Sequence, residues 1–166
     1  MPNMQDILDR ELMISATFDG AAIFNTAGEL YAISPTRFRI TPEEISTVIS
    51  AYSDPSDVQA NGFQVAGHKY DYSPHSDRTL KGRSRDHRPG PDQERAGVIC
   101  VKSKQTVDDD QVIAIGRYRV GINPHRALME VEHMVDGINQ LAWFIPDPLI
   151  WSPRARRASD APPSHP

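Results

Sequence analysis

The chain has 166 residues, 39% apolar and 24% charged, which suits one folded domain with some extra length. Its single cysteine, Cys100, excludes a disulfide framework or a cysteine metal cluster, and a net charge of −4 argues against a whole-chain polyanion binder such as a nucleic-acid protein. No window approaches the ~18 apolar residues of a membrane span, and no charged start precedes an apolar run, so a reducing, cytoplasmic setting is expected.

Residues 4–14 place Met4, Ile7, Leu8, Leu12 and Met13 at i, i+3, i+4 spacing, which predicts a short amphipathic helix ended by Gly20. Residues 21–24 read as a small apolar strand, Ala27-Gly28 as a turn, and 29–33 as the return strand. Thr41-Pro42-Glu43-Glu44 is a helix start: Thr41 can cap, Pro42 suits the first helical position, and Glu44 can reach back in a capping box. Ile45, Val48, Ile49 and Tyr52 then share one face, and Asp54-Pro55 stops the helix.

Asn61-Gly62 is expected to open a strand in which Phe63 and Val65 alternate with Gln64. Ala66-Gly67 turns the chain, and a second strand starts at His68. Residues 73–95 hold two glycines, three prolines, six Lys/Arg and four Asp/Glu, and read as a long polar loop with at most a short strand at 79–81. Residues 96–101 form an apolar strand with Cys100 as a buried thiol, and 112–115 another, closed by Gly116. The turn between them, with Asp108-Asp109-Asp110, lacks the alternating ligands and glycine of a calcium loop, and no metal is expected.

Asn123-Pro124 starts the last helix by the same cap-plus-proline logic. Its stripe is Ala127, Leu128, Val131, Met134, Val135, Ile138 and Leu141; it is expected to run to about residue 144, before Pro146 and Pro148. The domain is expected to span 1–145, with the polar insertion at 73–95. Residues 146–166 form a Pro/Arg-containing tail expected to be disordered. Short turns between successive strands imply an antiparallel sheet, with the amphipathic terminal helices packed on it, an α+β domain.

Five segments carry a family resemblance: MQDILDREL (4–12), AAIFNTAGELYAIS (21–34), ITPEEI (40–45), ANGFQVAGHKY (60–70) and residues 118–137. Together they resemble the profilin family over most of the chain. The resemblance implies a central antiparallel sheet between helices and binding of actin monomers, proline-rich segments and phosphoinositides. It implies neither catalysis nor a cofactor, and it implies a monomer associated with the cytoskeleton. No nucleophile triad, phosphate loop or zinc motif contradicts this, and the six histidines are scattered.

Carried over by position, the implied actin-binding residues are Lys69 in the central turn, the basic pair Lys81 and Arg83, and Lys102 at a strand end. Asn123, His125, Leu128 and Met129 follow at the start of the last helix, the last two replacing polar residues of the family. Each cation is also what an ordinary solvated surface carries. The implied polyproline-binding residues are Met4, Ile7, Tyr31, Ile138 and Trp143. Met4 and Ile7 stand where the family has aromatics, and Gly137 where it has an aromatic or histidine, so weakened proline recognition is expected. An alternative is a profilin-fold scaffold whose basic loop and tail, with Arg154, Arg156 and Arg157, bind phosphoinositide. Arg156-Arg157-Ala158-Ser159 fits a basophilic kinase site, a motif short enough to arise by chance.

Overall fold

A computed structural model describes residues 3–85, 96–107 and 110–141. Asn3 caps helix α1 (Met4–Leu8) by accepting from the Asp6 amide at 2.9 Å, and a π-helical segment, Asp9–Met13, continues it. Strands β1 (Phe18–Asn25) and β2 (Leu30–Ser34) form the first hairpin. Gly20, expected to end the first helix unit, lies inside β1 instead. A Cβ there would stand 2.4 Å from the Phe38 ring, so the glycine makes room for that ring.

Helix α2 (Pro42–Ser53) starts as its sequence dictates: Thr41 Oγ1 accepts from the Glu44 amide at 3.1 Å, and Glu44 Oε1 accepts from the Thr41 amide at 3.0 Å. A further helix, α3 (Ser56–Asn61), replaces the expected early strand opening. Gly62, at φ 73°, turns the chain out of that helix, and β3 (Phe63–Val65) begins one residue later. Ala66 and Gly67 both take positive φ, 52° and 84°, as a two-residue hairpin turn to β4 (His68–Ser76) requires.

The long polar loop expected at 73–95 is corrected. Its first half completes β4 and forms β5 (Thr79–Ser84); only 86–95 lie outside the described residues. Thr79, Leu80, Gly82 and Ser84 are buried while Lys81 and Arg83 point outward, so these residues are structural despite their polar composition. Strands β6 (Gly97–Val107) and β7 (Asp110–Tyr118) are longer than their apolar runs suggest. Asp108 and Asp109, the rest of the expected acidic turn, lie outside the described residues. Helix α4 (Pro124–Leu141) closes the described chain; its expected extension to 144 and the tail lie beyond.

The seven strands make one antiparallel sheet, ordered β2-β1-β7-β6-β5-β4-β3. Alternation splits the core in two. Ala21, Ile23, Ile99, Val101 and Val112 meet α1 and α4 on one face; Phe24, Val98, Cys100, Ile113 and Ile115 meet the α2–α3 side on the other. Burial pushes the Cys100 thiol up to about 12.

Candidate functional site: the uncovered half of the sheet

On the face shared with α4, that helix lies over β6 and β7, and α1 lies by β2 and β1. Among the described residues, no helix packs broadly over the β3–β5 part of this face. Register decides what stands on it. Tyr70 and Tyr72 point to the α2 core, so Lys69, Asp71 and Ser73 point the other way. Asp71 pairs with Arg83 across the strands, Ser73 with Lys81, and Lys81 with the α4-core residue Ile99. Lys69, Lys81 and Arg83 therefore share one surface, with Asp71 among them and bridged to Arg85.

Two contacts fix α4 beside this surface. Arg78 donates to both carboxylate oxygens of Asp136, at 3.0 and 3.3 Å, and the Thr79 hydroxyl donates to Glu132 at 3.2 Å. The flank carrying Glu132 and Asp136 continues through Met129 and His125 by helical spacing. Met129 is 57% exposed, and His125 is exposed at the first turn, where its amide donates to Asn123 Oδ1 at 2.8 Å. The opposite flank is tied elsewhere: Glu130 accepts from Ser15 and Thr17.

Two residues of the expected actin set do not join the surface. Leu128 is only 4% exposed and packs in the α4 core, because its helical position faces the sheet. Lys102 pairs with Ile113, an α2-core residue, so it stands on the other side of the sheet. Its ammonium lies 4.9 Å from the centre of the Tyr52 ring, whose hydroxyl donates to the Cys100 carbonyl.

The expected proline-site residues are brought together, but inside the core. Met4, Ile7 and Tyr31 are 9%, 4% and 8% exposed, and Ile138 is fully buried. The Tyr31 hydroxyl accepts from buried Asn25 at 2.9 Å. Trp143 lies outside the described residues. Above this layer runs a groove of about 240 Å³ between the first helix and α4, lined by Ile7, Met134 and Gly137 and by charged side chains. Among the described residues the exposed His133 imidazole is the ring that lines it, and no Phe, Tyr or Trp does.

Sequence reading also passed over a tie from α2 to the central turn. Besides closing its capping box, buried Glu44 accepts from the Ala66 amide, the Gly67 amide and Gln64 Nε2, each at 3.0 Å. The capping-box signal located this glutamate; nothing local showed that the same carboxylate serves residues some twenty positions away. Among the described residues, no three His, Cys, Asp or Glu side chains gather as metal ligands would, and no helix is long and apolar enough to cross a membrane.

The sequence model described as Profilin matches residues 3–142. The chain is 30% identical over 132 residues to a profilin of Drosophila melanogaster, covering 80% of this chain and 92% of that one. Among solved structures, Acanthamoeba castellanii profilin II matches with TM-score 0.67 at 29% identity, over 82% of this chain and 97% of that one. LokiProfilin1, solved as a complex with rabbit actin, matches with TM-score 0.61 over 81% of this chain and 93% of that one; at 13% identity this likeness concerns the fold alone. With the family model spanning every described element and these relatives matched over nearly their whole length, the chain belongs to the profilin family.

Proposed function

We propose that this chain binds monomeric actin through the uncovered β3–β5 surface and the adjoining flank of α4, and so regulates actin polymerisation. One observation carries the reading: Lys69, Lys81 and Arg83 converge on a solvent-facing sheet surface beside the exposed apolar side chain of Met129. Cations on such a surface steer an acidic partner and fix its register, while an apolar side chain at the edge supplies area to bury. Family membership supports the same assignment, and a fold-mate has been solved on rabbit actin. The test is assembly of pyrene-labelled actin with increasing amounts of the full chain. Slowed assembly and a lowered plateau are expected; no effect at high excess overturns the proposal.

Proline-rich ligands bind weakly in this reading. Met4, Ile7, Tyr31 and Ile138 are spent on the core, and among the described residues the groove above them offers the His133 imidazole but no Phe, Tyr or Trp face for a pyrrolidine ring. Titrating a ten-proline peptide while following tryptophan emission tests it; tight binding overturns it. The phosphoinositide alternative draws on Arg88, Arg95, Arg154, Arg156 and Arg157, which lie outside the described residues. Two described cations of the same basic region, Arg78 and Arg85, are engaged by Asp136 and Asp71, which favours the actin reading.

A further inference from the structure

The groove between the first helix and α4 has an apolar floor and a polar rim of Arg10, Glu11, His133 and Asp136. Ile7 and Met134 are buried beneath it, and at Gly137 an added Cβ would meet nothing within 4 Å. Glu11 stands at the rim, and the exposed acids Asp6 and Asp9 lie on the adjoining flank of the first helix, with Arg10 between the two surfaces. Gly137 stands four residues before the end of α4, about 6 Å along its axis. The described end of α4, at Leu141, therefore lies near the groove.

The sequence that follows Leu141 has complementary chemistry. Phe144, Ile145, Leu149, Ile150 and Trp151 are interleaved with Pro146, Pro148 and Pro153, and Arg154, Arg156 and Arg157 come next. It has no stripe with which to build a core of its own, but a groove can supply the missing partner. Ten residues reach ~33 Å when extended, so Trp151 can turn back over Gly137 while α4 stays intact. Prolines restrict such a segment to few conformations, which lowers the entropy lost on docking. The tether holds it at an effective concentration on the order of millimolar, so even a weak groove is filled.

We propose that residues 144–157 of this chain lie back in the groove between the first helix and α4. The apolar side chains rest on Ile7, Met134 and Gly137, and the arginines face Glu11 at the rim and Asp6 and Asp9 on the flank next to it. A free peptide must displace this segment before it can bind there. The inference does not depend on actin binding.

The chain carries its own reporter, since its two tryptophans are Trp143 and Trp151. In the full-length Trp143→Phe variant, Trp151 emits alone. Its emission is expected to be blue-shifted from that of free tryptophan, several-fold protected from acrylamide, and independent of protein concentration. Adding Gly137→Lys, whose Cβ enters open space, should return the emission to the water-like value; so should Arg154→Glu, Arg156→Glu and Arg157→Glu together. Water-like emission before either change overturns the proposal. A blue shift that grows with concentration assigns the segment to a second copy and overturns it. So does a blue shift that survives both changes, which places the segment elsewhere.

Discussion

Replacing Glu44 tests whether the central hairpin is held from a distance. Its two carboxylate oxygens accept four hydrogen bonds, from the amides of Thr41, Ala66 and Gly67 and from Gln64 Nε2, all at 3.0 Å. A hydrogen bond to a charged group contributes about 1.5–3 kcal/mol. Thr41, Gln64 and Gly67 are exposed and recover water when the carboxylate goes, whereas Ala66 is half-buried and recovers less. Glu44→Ala should therefore cost about 2–4 kcal/mol, including the lost capping box. For a chain of this length that lowers the thermal midpoint by roughly 4–16 °C. Glu44→Gln keeps one acceptor oxygen, and the Gln64 amide can flip to meet the new amino group, so its cost should be about half. Urea unfolding of the three full-length proteins, read by circular dichroism, gives the order parent, Gln, Ala. An Ala variant within about 0.5 kcal/mol of the parent would refute the tie and leave the turn to its own Ala66-Gly67 conformations.

Four further outcomes are expected. Lys81→Glu with Arg83→Glu should weaken actin binding by about 1–3 kcal/mol in a sedimentation or pyrene assay, while Lys102→Glu, on the opposite side of the sheet, should change it far less. Met4→Trp with Ile7→Tyr should not build a proline platform but destabilise the fold by about 1–3 kcal/mol in urea, because both sites are buried in a packed core. Deleting 73–95 should abolish the cooperative thermal transition, because it removes β5 from between β4 and β6; retention of a sharp transition would contradict the strand order. Cys100 ionises from an ordinary 9.0 when unfolded but only at about 12 when folded, so its contribution is complete below 9 and lost as pH rises between those values. The loss is about 1.4 kcal/mol per pH unit in that window, read from urea midpoints at pH 8 and 10, and Cys100→Ala should flatten it.

What the sequence determined by itself lies within a few residues of its signal. Thr41, Pro42 and Glu44 start α2 because a cap needs only the first turn's own amides. Ala66-Gly67 makes the hairpin turn because φ is a local variable. The stripe from Ala127 to Ile138 buries α4 as its spacing requires, and it places Leu128 in the core rather than on the binding surface. Lys69, Lys81 and Arg83 were legible as a basic set, but not which side of the sheet each occupies.

Only the tertiary structure decided that. A strand's alternation has two phases, and the phase is set by which neighbour it pairs with and by every irregularity between them. Lys102 stands in phase with Val98 and Cys100 on β6 and so reaches Tyr52, while the pairing of Lys81 with Ile99 puts Lys81 and Arg83 on the opposite face. The same holds for 79–84, whose polar residues form a strand because β4 and β6 supply the hydrogen bonds on either side. It holds too for Met4 and Ile7: whether a helix residue is platform or core depends on what α4 and the sheet place over it, and here they bury both.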